Sequence, residues 1–266
     1  MKFIIRDDDL NYFSTPADIE RWYATIFAQK IPVGFAAVPF VKPSSDVYPF
    51  WPRETARAAE EHEYAISKNI ELAEYVKNNP LIEVIQHGCT HETAEGVFEY
   101  AKHTDLIEDT RRGKAELERA FGKLVHVFAP PHDWIGTEGI RGIEAAHLHV
   151  IRGRGAGLRN WLWRWQYAWI FMKMLLYRFP RYISSVPPVY PYVLNFGSHK
   201  ELCSYRLEDP DIFKGLEYVL KKGGIFVVVA HVHGLSDEKV QKLKKLIDKG
   251  RASGATFVRP SEVFGL

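Results

Sequence analysis

Leu81-Ile82-Glu83-Val84-Ile85-Gln86-His87-Gly88-Cys89-Thr90-His91 is the stretch on which the fold of this chain turns. The apolar run Leu81 to Ile85 has the length and composition of a buried strand, and two imidazoles four positions apart follow it. Side chains so spaced lie on one face of a single backbone turn, so His87 and His91 can converge on one ion. Two ligands do not complete a site. The missing anion stands at the N-terminus, where Lys2-Phe3-Ile4-Ile5 runs into Arg6-Asp7-Asp8-Asp9, a second strand ending in charge. Taken singly, such a histidine pair serves equally as surface or core histidine, and three aspartates serve as a solvated turn or a helix cap. Their matching places at strand ends favour a joint role.

Working outward, Thr15-Pro16 starts a helix over 17–29, and 31–38 is a second strand. The loop 39–52 mixes prolines with Phe40, Tyr48, Phe50 and Trp51, and reads either as a substrate wall or as a packed loop. Residues 54–78 are helix-forming, in two pieces. The clearest helix, 105–121, ends at Gly122. A strand at 124–128 leads into Pro130-Pro131-His132, a helix covers 137–146, and a strand covers 148–151. After position 210 come a helix (211–222), a fully apolar strand (225–230) that ends in His231-Val232-His233, a helix (236–249) and a short strand (256–258). Alternating strands and helices imply a mainly parallel sheet, with reactive groups gathered beyond the carboxyl ends of its strands. The Asp cluster, the 87/91 pair, the Pro-Pro turn and the 231/233 pair all fall there.

Composition narrows the classes. The chain has 266 residues, enough for one barrel-like domain. A net charge of +2 gives no whole-chain attraction to nucleic acid. Two cysteines without CxxC spacing exclude a disulfide scaffold and a thiolate zinc site. The apolar run after Met1 is too short for a signal peptide, so a cytoplasmic location is the expectation.

In order along the chain, an early strand ending in Asp-Asp, His-Gly-x-x-His, a Phe-x-Pro-Pro turn and a late strand ending in histidine resemble the polysaccharide deacetylases of the NodB-homology, carbohydrate esterase family 4 type. Gly113 to Lys123 looks like that family's helix before the Pro-Pro strand. The resemblance covers about 1–151 and 210–262. It implies an α/β fold, a distorted (β/α) barrel of about seven strands, and a single catalytic domain over 1–266 that carries an insertion at 152–195.

The resemblance further implies a divalent metal, Zn2+ foremost with Co2+ or Ni2+ as alternatives, held by His87, His91 and one aspartate. Two registers fit: Asp8 as general base with Asp9 as ligand, which the spacing from Arg6 and to Thr15-Pro16 favours, or Asp7 with Asp8. Such a ligand set leaves the ion a net positive charge that brings bound water toward a pKa of ~7. His231 corresponds to the late catalytic histidine, with His233 as its rival. Pro131 and His132 border the substrate, and a backbone N–H near them stabilises the oxyanion. Two departures stand out. The arginine that precedes the family's Pro-Pro turn is replaced by Phe128-Ala129, which leaves open whether Arg6 takes its role, and His132 stands where tyrosine or tryptophan is common.

Within the insertion, residues 158–179 interleave Trp161, Trp163, Trp165 and Trp169 with Arg159, Arg164, Lys173 and Arg178. Its longest uncharged run is too short to span a bilayer. Three readings stay open: a buried lid or homo-oligomer contact, an interfacial helix that holds the protein at the inner membrane face, or aromatics that stack on sugar. The leading expectation is a metal-dependent hydrolase that removes an acetyl group from a sugar or amino sugar of a glycan or lipid-linked glycan precursor. The rivals are a hydrolase of the same fold acting on a small non-sugar amide or ureide, and a non-catalytic glycan- or membrane-binding relative.

Overall fold

The computed structural model describes residues 1–42, 45, 47, 63–94, 96–101, 105–153, 168–170, 172–174 and 189–266. In chain order the strands are β1 (Lys2–Leu10), β2 (Val33–Ala37), β3 (Phe40–Val41), β4 (Tyr64–Ala65), β5 (Ile82–His87), β6 (Thr93–Ala94), β7 (Val97–Phe98), β8 (Val127–Ala129), β9 (His149–Arg152), β10 (Leu194–Asn195), β11 (Lys200–Cys203), β12 (Tyr205–Arg206), β13 (Ile225–His231) and β14 (Thr256–Phe257). Helices cover Pro16–Phe27, Ile70–Asn78, Leu106–Phe121, Thr137–Ala145, Ile212–Lys222 and Asp237–Ala252. The first begins on a capping box in which Thr15 and Asp18 satisfy each other's backbone N–H, with Pro16 behind the cap.

The main sheet runs β10-β11-β9-β8-β5-β2-β1-β13-β12, with β14 on β1. All pairings along it are parallel except that of β10. Its two ends are one piece of chain. Lys200–Cys203 pairs with β9 and Tyr205–Arg206 with β13; between them the Ser204 N–H and hydroxyl both donate to the Arg152 carbonyl. The chain changes partner at that kink, which closes a distorted barrel of seven strand positions, as the sequence leads one to expect.

Alternation along each strand sorts side chains into two cores. Ile4, Ala36, Ile85, Val127, Ile151, Leu202 and Val227 meet inside the barrel. Phe3, Ile5, Phe35, Val84, Val150 and Val228 face outward, against the apolar stripes of the helices. Each such side chain, fully buried, contributes about 1.5–3 kcal/mol.

Two expectations change, and others fall where nothing is described. Residues 64–69 are not α-helical: β4 pairs with β3, and a 3-10 turn over Ile66–Lys68 precedes the helix. Residues 54–62, and Tyr48, Phe50 and Trp51 of the aromatic loop, lie outside the described residues. The aspartates of the first strand are not in a loop after it, because pairing with β13 continues through Asp8. No helix among the described residues is long and apolar enough to cross a membrane.

The barrel's N-terminal end is closed by the last residues. Val258 and Phe264 join the interior cluster, Lys200 Nζ donates to the Phe264 carbonyl at 2.6 Å, and Gly34 leaves room for Pro260, whose Cγ would lie 2.6 Å from a Cβ there. Glu83, on β5, accepts from the Ser261 N–H and hydroxyl. Burial raises the Glu83 carboxyl to about 7, against the lowering effect of Ser261 and Arg259. The folded state therefore keeps a proton that the unfolded chain releases near pH 4.5. Stability should fall as pH rises from about 4.5 to 7, by about 1–3 kcal/mol. Denaturant unfolding of the wild type and Glu83→Gln at pH 5 and pH 8 checks this: the wild type alone should lose stability from this source at pH 8, and equal losses in both would refute it.

Candidate metal centre

The open end of the barrel is organised by an irregularity in β1. Asp7 is opposite Phe35 and Leu10 is opposite Ala37, so three steps on β1 match two on β2. The extra residue is a bulge, and Asp9 takes a left-handed backbone (φ 72), steadied by Asn11 Nδ2 donating to its carbonyl at 2.7 Å. In a regular strand Asp8 and Asp9 would face opposite sides. Here both line a cavity of about 290 Å³, while Leu10 returns to the outer core.

Asp9 meets the two histidines. Its Oδ1 is 3.2 Å from His87 Nε2 and 3.6 Å from His91 Nε2, and donor atoms of all three lie within 4.8 Å of one another. His87 Nδ1–H donates to the Ala129 carbonyl at 2.8 Å, which fixes the ring with Nε2 turned toward Asp9, where it donates to the carboxylate when protonated and offers its lone pair to an ion when neutral. Burial and the neighbouring His87 push the His91 imidazole down to about 4. Burial pushes the Asp9 carboxyl up, but the His87 bond and the His87, His91 and His231 charges outweigh it and hold the group well below its ordinary value. A carboxylate with two imidazoles, one fixed in its tautomer, fits a divalent ion of borderline softness. The pair converges without the single backbone turn expected from its spacing: His87 ends β5, Gly88 and His91 have positive φ, and a short loop brings the ring centroids to 4.9 Å.

Asp8 is clamped from its own strand. Arg6, 1% exposed, donates through Nε to Asp8 Oδ1 at 2.7 Å and through Nη2 to Oδ2 at 2.5 Å, while its Nη1 reaches the Ile151 carbonyl at 2.8 Å. Asp7, the candidate base of the other register, faces away: it accepts from the Tyr23 hydroxyl and, at 2.9 Å, from the Val232 N–H.

Asp133 and Arg206 also line the cavity. Asp133 accepts from the Gly153 N–H at 2.7 Å and from Arg206 Nη2 at 2.8 Å, and its Oδ1 is 3.5 Å from Arg6. Burial raises its carboxyl, but Arg6 and Arg206 outweigh burial and hold it below its ordinary value. His231 is beside Asp8 in register and lines the cavity. His233 does not share its face, because Val232–Gly234 is a 3-10 turn, and its Nε2 is 3.0 Å from Ser14 Oγ. Pro131 is buried, and His132 (φ 55) stacks on Phe98 with ring centroids 4.2 Å apart and comes within 4.8 Å of the His91 ring.

Sequence reasoning did not single out Asp133, Arg206 or Glu99. Asp133 directly follows the Pro-Pro-His turn, a signal within reach. Arg206 stands on a strand that the pattern did not reveal. Glu99 accepts from loop 89–91 and carries no local pattern at all. Of the Trp-rich segment 158–179, only 168–170 and 172–174 are described: Ile170 and Met174 join the outer core, whereas Trp169 and Met172 are exposed. The readings of the remainder lie outside the described residues.

No protein-family model matches the sequence, and no curated protein matches it. Solved structures do. The Xyl-CE4 domain of a multidomain xylanase from the hindgut metagenome of Trinervitermes trinervoides superposes with a TM-score of 0.52 at 11% identity, over 98% of this chain and 88% of that one. The Bc1960 peptidoglycan N-acetylglucosamine deacetylase gives 0.51 at 12%, over 98% and 87%. A CE4 family pseudoenzyme from Bacillus Anthracis, BA3943, gives 0.52 at 12%, over 98% and 65%. At such identities the likeness is one of fold.

Removing any ligand of the triad should empty the site. The wild type should carry about one divalent ion per chain by elemental analysis after equilibration with zinc, and His87→Ala and Asp9→Ala should carry less than a tenth of that. Wild type without zinc, cobalt or nickel after loading would refute the assignment.

Proposed function

We propose that the chain is a divergent relative of the carbohydrate esterase family 4 deacetylases, a metal-dependent hydrolase that removes an acetyl group from a sugar or amino sugar of a glycan or lipid-linked glycan precursor. One observation carries this reading: Asp9, His87 and His91 converge on a point beside a second carboxylate, Asp8, that a buried arginine holds in the same cavity. The fold shared with a peptidoglycan N-acetylglucosamine deacetylase and a Xyl-CE4 domain supports it.

In this proposal the triad holds Zn2+, with Co2+ or Ni2+ as substitutes, and when bound the ion polarises the acyl carbonyl and acidifies water. Asp8 is the general base. The Arg6 fork fixes the plane of its carboxylate, which takes the proton of the attacking water. His231, next to Asp8 in register, donates a proton to the departing amine or alkoxide. Pro131 and His132 border the acyl group, where a backbone N–H of their turn faces the oxyanion. Arg6 thereby supplies in cis the orienting charge that the missing arginine before the Pro-Pro turn would give.

The lipid-linked form of the substrate has its own support. Between Glu144 and Glu201 the sequence has no acidic residue and eight basic ones, and Trp169 and Met172 are exposed there. A stretch of this charge and aromatic content suits an anionic bilayer surface. The protein should co-sediment with vesicles containing phosphatidylglycerol and not with neutral ones; equal recovery with both, or a dimer in sedimentation velocity that Trp169→Ala dissolves, turns the segment into a protein contact instead.

Activity is tested by acetate release from N-acetylglucosamine oligomers and O-acetylated xylo-oligosaccharides. Asp8→Asn should lower turnover by about 10²–10⁴ while metal content is retained. A metal-loaded wild type that releases acetate from neither substrate contradicts the proposal.

A further inference from the structure

The loop 88–91 that carries His91 takes its backbone partners from one buried carboxylate. Glu99 is 3% exposed and accepts from the Cys89 N–H at 3.0 Å, the Thr90 N–H at 2.8 Å, the His91 N–H at 2.9 Å and the Thr90 hydroxyl at 3.1 Å. Three consecutive N–H groups aimed at one anion form a concave nest, and here the anion belongs to the chain itself. The loop is built around it. Gly88 adopts φ +68, and a Cβ at that position would collide with the Glu99 carboxylate and lie 2.7 Å from Pro131 Cγ.

The two histidines of the triad are held in different ways. His87 is fixed through its ring, by the bond from Nδ1 to the Ala129 carbonyl. Buried His91 Nδ1 has no hydrogen-bond partner among the described residues. Its ring direction is set from the backbone side, where a left-handed φ of 57 is held by the N–H that donates to Glu99.

We infer that Glu99 is a positioning residue of the Asp9-His87-His91 centre, doing for His91 through the backbone what the Ala129 carbonyl does for His87 through the ring. The inference rests on reading that triad as a metal centre. Glu99 is eight residues beyond His91, after the β6–β7 hairpin, so the hairpin acts as a spacer that returns the chain beneath its own ligand loop. Gln at this position keeps the shape and one acceptor oxygen but turns an NH2 group toward N–H donors, so the nest loses its anion while the packing volume stays.

The test uses full-length metal-free protein, with Zn2+ and Co2+ affinities measured by competition with a chromogenic chelator and the visible spectrum of the Co2+ form recorded. Glu99→Gln should remain folded, bind both ions about 10- to 100-fold more weakly and show a changed Co2+ spectrum. Glu83→Gln, a buried carboxylate swap at the other end of the barrel, should leave both readouts within twofold of wild type. In a His91→Ala background, Glu99→Gln should cost no further affinity, since its route to the ion is gone. Should Glu99→Gln fail to fold, Glu99→Asp, which keeps the charge and retracts it by one methylene, carries the same comparison. A folded Glu99 variant with wild-type affinities and spectrum overturns the assignment. Wild type that binds neither ion overturns the metal reading itself, and the assignment with it.

Discussion

A guanidinium inside a barrel has no water to turn to, and Arg6 is such a group. Leaving it unpaired would cost several kcal/mol, so its surroundings are dictated. Asp8 takes two of its nitrogens and the Ile151 carbonyl a third, while Asp133 stands within ion-pair distance. Those contacts bind β1 to β9 and to the turn after β8. Asp133, drawn in toward Arg6, in turn engages Arg206 of β12 and the Gly153 N–H. One buried cation thus ties together four parts of the barrel rim. A pair this deep adds little net stability, because desolvation offsets most of the attraction. What it supplies is direction, since a forked guanidinium permits few arrangements of the carboxylate it holds.

Much of the frame was legible in the sequence because it rests on period. Apolar runs at 81–85 and 225–230 and the helix at 105–121 have patterns that only a buried strand or an amphipathic helix satisfies. The site was legible as a set of residue types at strand ends. Its geometry was not, for reasons specific to each residue. Alternation cannot place both Asp8 and Asp9 in one cavity; a bulge does, and no residue pattern announces it. His231 and His233 look equivalent until a 3-10 turn separates them. Lys200–Arg206 completes the ring with strands of four and two residues, too short for any periodicity to register. Glu99 was invisible because its partners are backbone N–H groups, which every sequence contains.

The fold alone does not decide between turnover and its loss, since solved structures that share it include both deacetylases and a pseudoenzyme. What distinguishes such proteins is the site. Here the cavity holds three groups that could ligate a metal, a clamped second carboxylate and His231 beside it in register, and the arginine of the clamp comes from β1 itself. Arg6 and Asp8 are two positions apart, the spacing at which strand side chains share a face. The arginine is therefore delivered to the same interior surface as the carboxylate by the strand's own geometry.

The pairing of β1 bears on how the polypeptide reaches this state. β1 has three neighbours: β2, close to it in sequence, and β13 and β14, made more than two hundred residues later. During synthesis one edge of β1, with Phe3 and Ile5 beside it, waits for most of the chain to emerge. Contacts of such long sequence separation form slowly and leave apolar edges open to wrong partners in the interval. Asp8 and Asp9 sit on that strand, and His231 arrives with its late neighbour. The His231 side of the cavity is consequently among the last parts to be assembled.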